Sequence, residues 1–208
     1  MTNEPRKRKR ISKQDNAQPN VMVWTIGVAA LAIAAIAAIV LVLTGGSDDG
    51  DRADRLALAE ADLSAVRTYT GLTNLYDPDM TYPDTGLPPV GGNHHPVWMN
   101  CGIYDEPVPS AMAVHSMEHG AVWITYQPGL AAGEVAALRD IARDGDKILL
   151  SPFPGLNDPI VVTAWGAQLE LESAEDVRIE AFIQVYESAP TSPEPNVSCA
   201  GATGDPMR

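Results

Sequence analysis

The chain has 208 residues, 45% of them hydrophobic, and a formal net charge of −13 from 14 basic and 27 acidic groups. Six of the basic groups (Arg6, Lys7, Arg8, Lys9, Arg10 and Lys13) but only two acidic ones (Glu4 and Asp15) lie in the first 20 residues, so the remainder is more acidic still. A surface of that sign repels polyanions and excludes nucleic acid as a partner.

After the basic tail of residues 1–20, residues 21–43 run without a charge, diluted only by Trp24, Thr25 and Gly27. A helix of that length, at about 1.5 Å per residue, crosses a hydrocarbon core of about 30 Å. The run exceeds the apolar stretch of a cleaved secretory signal and reads as a retained anchor. With the basic groups on its N-terminal side, the positive-inside rule predicts a single pass through the plasma membrane, lipid as the partner of residues 21–43, a cytoplasmic N-terminus and an extracytoplasmic C-terminal domain.

Residues 44–67 form a linker and stalk. Within them "DGDRADRLALAEADLSAVR" (49–67) places Leu56, Leu63 and Val66 on a helical stripe behind an acidic first turn. The extracytoplasmic domain is expected over 68–188 and a proline-rich tail over 189–208.

The domain opens on an irregular stretch. Between Thr68 and Ser110 there are seven prolines and five glycines, with no sustained period. Tyr69, Tyr76, Tyr82, Trp98 and Tyr104 argue against a solvated coil, so the segment is read as an ordered wrapping loop. A short helix is expected from an N-cap at Ser110 to Gly120. Strands follow at 121–127, 147–151, 160–166 and 167–173, the last two joined as a hairpin at Trp165-Gly166-Ala167. Helices are expected at 133–144, with Val135, Leu138 and Ile141 on one face, and at 174–188, capped by Ser173 with Val177, Phe182 and Val185 buried. This pattern predicts an α+β fold, mixed α/β being the alternative, with a sheet of about four strands and helices packed on it. Cys101 and Cys199 both fall on the outer side, where a disulfide between them is expected; two thiols, or Cys101 as a ligand, are the alternatives.

All four histidines, His94, His95, His115 and His119, lie within 26 residues, among Met99, Met112, Met117, Cys101 and Glu118. Imidazole suits copper, zinc, iron and nickel, and thioether shifts the preference towards Cu(I). His115 and His119 share a face in a helix or a strand; Met117 joins them only in a strand. His94 and His95 cannot both face one site from an extended loop. The residues leave open transition-metal binding, a structural clamp on the loop, and proton chemistry. For the first, the candidate ligands are His115, His119, Glu118 and one of His94 and His95, with the thioethers of Met117 and Met99 behind them, and the ion copper or zinc. The H-x-x-E-H spacing also occurs in a class of zinc proteases, but there it lies inside a longer helix, whereas Gly120 ends this one at once. No nucleophile elbow, C-x-x-C or phosphate loop is present, and no catalytic residue is assigned.

The runs "LPPVGGNHHPVW" (87–98), "CGIYDEPV" (101–108), "VHSMEHGAVWITY" (114–126) and "SPFPGLNDPIVVTAWG" (151–166) resemble a family of bacterial membrane-anchored proteins classified as a domain of unknown function. The resemblance covers roughly residues 70–187. It implies an envelope location and the same His94, His115, Glu118 and His119 cluster, and it puts His95, which matches no fixed position, in second rank. It also implies leucine as the usual residue where Met117 stands, which makes Met117 a packing residue. The expected function is metal handling in the envelope, with no enzymatic activity assigned. A metal-free module that docks on an envelope protein partner is the alternative, and an HxxEH-type metallohydrolase the less favoured one.

Overall fold

The computed structural model describes residues 61–83 and 86–207. The predicted tail 1–20, the span 21–43 and the start of the stalk lie outside the described residues. Among the described residues no helix is long and apolar enough to cross a membrane.

The chain forms β1 (Arg67–Thr68), β2 (Gly102–Ile103), α1 (Ser110–Glu118), β3 (Val122–Tyr126), α2 (Ala132–Asp144), β4 (Ile148–Pro152), β5 (Ile160–Ala164), β6 (Ala167–Leu171) and α3 (Arg178–Tyr186). This is an α+β fold around one mixed sheet of order β1-β6-β5-β3-β4-β2. β5 and β6 pair antiparallel across the two-residue turn at Trp165 and Gly166, and β3 pairs antiparallel with β5 and parallel with β4.

The sheet has six strands, not about four. The two additional ones are two-residue pairings at its edges, β1 on β6 and β2 on β4, too short for any period to mark. The stalk helix does not reach Arg67: residues 61–66 form a turn and coil leading into β1.

β3, β4 and β5 are buried along their whole length because both sheet faces are covered. Alternate side chains divide between two cores. Val122, Ile124, Leu150, Ile160, Val162 and Leu169 meet Leu138 and Ala142 of α2 and Ile179 and Phe182 of α3. Trp123, Leu149 and Val161 meet Ala113, Val114 and Met117 of α1, together with Met99, Val108, Phe153 and Trp165. The 68–110 stretch is ordered, and Leu72, Tyr82, Leu87 and Tyr104 pack against this second core.

The last helix starts at Arg178, four residues later than expected. Ser173 accepts only the Glu175 N–H, in a preceding turn, while Asp176 accepts the Arg178 N–H at 3.0 Å. That delay rotates the buried stripe, so Val177 and Val185 are exposed and Ile179, Ala181 and Phe182 are covered. Cys101 and Cys199 form a disulfide with a Cα separation of 5.4 Å. It fixes the tail, whose residues also bridge Met99 to Thr203 and Ile103 to Met207.

Candidate metal centre

"HSMEHG" forms the end of α1, with Pro109 rather than Ser110 at the N-cap position and His119 as the C-cap. Gly120 at φ +88 closes the helix. Its N–H bonds the Met117 carbonyl at 2.9 Å and the Ala121 N–H bonds the Ser116 carbonyl at 3.0 Å, which is the Schellman pattern. A Cβ on Gly120 would lie 2.8 Å from Ser188 Cα, so only glycine fits this close crossing.

Because the segment is helical, Met117 points away from the imidazoles into the second core, where it is fully buried. Met99 lies in the same core. Both thioethers are therefore packing groups. Ser116 clamps the wrapping loop, donating to the Met99 carbonyl at 2.7 Å and accepting the Met99 N–H at 3.1 Å.

The loop brings in His94. Its backbone pairs with residues 75–77, through His94 N–H to Leu75 O at 3.0 Å and Asp77 N–H to His94 O at 2.8 Å. Gly91, at φ +138, lets the chain press onto Trp165; a Cβ there would come within 3.1 Å of the indole and 2.9 Å of Leu72.

The ligand atoms of His94, His115 and Glu118 lie within 4.8 Å of one another, and all three residues are buried. His119 stands in a second group, with Glu118 and Glu194, under the same limit. His95 is turned aside, its Nδ1 accepting the Val97 N–H at 3.0 Å; it serves the cluster through its carbonyl alone. Cys101 is excluded as a ligand by its disulfide.

Each clustered imidazole is anchored by Nδ1. His94 Nδ1 lies 2.8 Å from Gly92 O, His115 Nδ1 2.8 Å from His95 O, and His119 Nδ1 3.0 Å from Ser198 O. A carbonyl only accepts, so each Nδ1 carries a hydrogen, and Nε2 is the nitrogen left for an ion or a second proton. Burial pushes the His115 and His119 imidazoles below their ordinary value, against the pull of the carbonyls they donate to.

The Nε2 atoms converge on the Glu118 carboxylate, at 3.1 Å for His94 and 3.7 Å for His115. Glu118 is 1% exposed. Its other partners are Asn74 Nδ2 and the Tyr76 hydroxyl, each at 3.4 Å, and among the described residues no lysine or arginine pairs with it. Burial, followed by the Glu118 charge, raises the Tyr76 hydroxyl above its usual range. Tyr76 stacks on His115 with ring centroids 5.2 Å apart, and Trp98 lies edge-on to His115 and His119 at 5.4 and 4.7 Å.

A buried carboxylate that faces two ring nitrogens calls for a positive charge beside it, an ion between them or a second proton on a ring. The donor set fits a metal ion. Ligands at about 2.0–2.2 Å around a tetrahedral centre are separated by about 3.4 Å, between the 3.1 and 3.7 Å at which the two Nε2 atoms stand from Glu118, and Nδ1–H to a carbonyl is the outer contact that orients a ligating imidazole.

Asn74, Tyr76 and Glu194 are not marked by sequence reasoning. The first two belong to a loop without periodicity and the third to a tail whose fold-back only the Cys101–Cys199 pair announces.

No curated protein and no solved structure matches the chain. One family model does, that of a protein of unknown function, DUF3105, over residues 76–201. The match covers more than half of the chain and contains every residue of both groups, and the chain belongs to the DUF3105 family.

Proposed function

We propose that the protein is a membrane-anchored metal-handling module of the cell envelope, holding a transition-metal ion on His94, His115 and Glu118 in an extracytoplasmic domain. Residues 21–43 anchor it with the N-terminus in the cytoplasm. The observation that carries the reading is the buried Glu118 carboxylate facing two Nδ1-anchored imidazoles and, among the described residues, paired with no lysine or arginine. With both methionines in the core, the donors are nitrogen and oxygen, which removes the argument for Cu(I) and favours zinc.

When bound, such an ion supplies a Lewis-acid centre. The chain's own groups set its position. Gly92 and His95 carbonyls fix the two rings, Asn74 holds Oε1 of the carboxylate, the Tyr76 hydroxyl holds Oε2, the oxygen the rings face, and Tyr76 and Trp98 wall the site.

The metal-free alternative rests on the 3.1 Å approach of His94 Nε2 to Glu118, which is also hydrogen-bond distance if a second proton sits on the ring. In that reading the cluster clamps the loop, and the protein docks on an envelope partner.

Bound metal separates the two. The full-length chain, purified in detergent and equilibrated with zinc and then with copper, is expected to retain zinc tightly, and a His94→Ala/His115→Ala variant of unchanged circular dichroism to lose that tight equivalent. A wild type that retains no metal, or a double variant that retains as much, rules the metal reading out.

A further inference from the structure

Glu118 is shared. Besides His94 and His115, its ligand atoms lie within 4.8 Å of those of His119 and Glu194. His119 repeats the preparation of the other two rings: Nδ1 is committed to the Ser198 carbonyl, and Nε2 faces a carboxylate, Glu194 Oε2, at 3.8 Å.

Glu194 is not there by accident of a loose tail. Its own N–H donates to the Glu118 carbonyl at 2.9 Å, the Ser188 N–H donates to the Gly120 carbonyl at 2.8 Å, and Cys199 is tied to Cys101. The Lys147 ammonium donates to the carbonyls of His119 and Pro195 at 2.9 and 2.6 Å. Among the described residues neither carboxylate is paired with a lysine or arginine.

The two groups differ in access. His94, His115 and Glu118 are almost wholly enclosed, whereas the Glu194 side chain is 45% exposed. The second group also lies at the C-terminal end of α1, where the helix dipole favours positive charge.

Resting on the metal reading above, we propose that His119, Glu194 and Glu118 form a second, outer position for a divalent cation, with Glu118 as the carboxylate common to both. One imidazole and one solvent-facing carboxylate hold an ion more weakly than the enclosed pair. The outer position is therefore filled second.

The test is a zinc titration of the full-length chain in detergent, followed by calorimetry, on the wild type and Glu194→Gln. The Glu194 side chain is half solvated, and the amide is nearly isosteric, so the variant keeps its fold; circular dichroism checks this. Two equivalents of unequal affinity are expected for the wild type and one, the tighter, for Glu194→Gln. A wild type that stops at one equivalent, or a Glu194→Gln chain that still takes two, overturns the outer position while leaving the inner one standing. A wild type that takes none overturns both.

Discussion

The sheet face covered by α2 and α3 is packed by a cluster of aliphatic and aromatic side chains. The face covered by α1 and the proline-rich loop mixes such a cluster with buried polar groups. It buries Trp123 against Ser151 and Gln168 against Thr163, and beyond them His94, His115, Glu118 and His119. Buried polar groups cost free energy unless each has a partner, so a fold concentrates them where something other than stability is served. The first face holds the domain together, and the second spends part of that stability on a prepared cluster.

Substitutions on the two faces should therefore have separable effects. The largest is expected from Phe182→Ala, which empties a fully buried site on the apolar face. It should lower unfolding free energy by about 3–5 kcal/mol in denaturant titrations, with zinc affinity of the folded fraction unchanged. Loss of zinc affinity in step with stability would mean that the two faces are not independent.

Replacing Cys101 and Cys199 by serine should cost about 2–4 kcal/mol. It also frees the segment that carries Glu194 and the Ser198 carbonyl. Zinc at His94 and His115 should survive this change, since their carbonyl partners belong to the loop.

Asn74→Ala should do the reverse. It removes the amide that holds Glu118 from outside, so zinc affinity should fall about 10- to 100-fold while the denaturation midpoint scarcely moves. An unchanged affinity would remove Asn74 from the support of the site.

The smallest effect is on pH dependence. Burial holds His115 and His119 below the ordinary imidazole value in the folded, metal-free chain. The unfolded chain takes up those protons near pH 6.5, so their contribution to stability is complete above about pH 6.5 and is lost as pH falls towards the folded values. Urea midpoints measured on either side of that pH should show the loss, and His115→Asn should reduce it.

The same division governs what could be read in advance. β3, β4, β5, β6 and α2 follow from regular periods and β-branched runs, because those segments pack by repeating contacts. The limits of α3 did not, since the turn over 173–177, in which Asp176 takes the Arg178 N–H, displaces its start, and Val177 and Val185 are exposed. The edge strands β1 and β2 are two residues each, below the length at which alternation exists.

For the cluster, the spacing of His115, Glu118 and His119 and the crowding of histidines were legible. Their partition was not. His119 separates from His94 and His115 because His119 is the C-cap residue and faces the returning tail. Asn74 and Tyr76 act from a segment whose conformation is set by the pairing of Leu75 and Asp77 with Asn93 and His94 rather than by any local pattern.

X-ray absorption at the zinc edge, on full-length protein loaded with one equivalent, tests the central claim most directly. The account predicts nitrogen and oxygen neighbours at about 2.0–2.2 Å, with an imidazole scattering pattern that weakens in His94→Ala. Sulfur at about 2.3 Å, or a hydrated ion without imidazole, would contradict it.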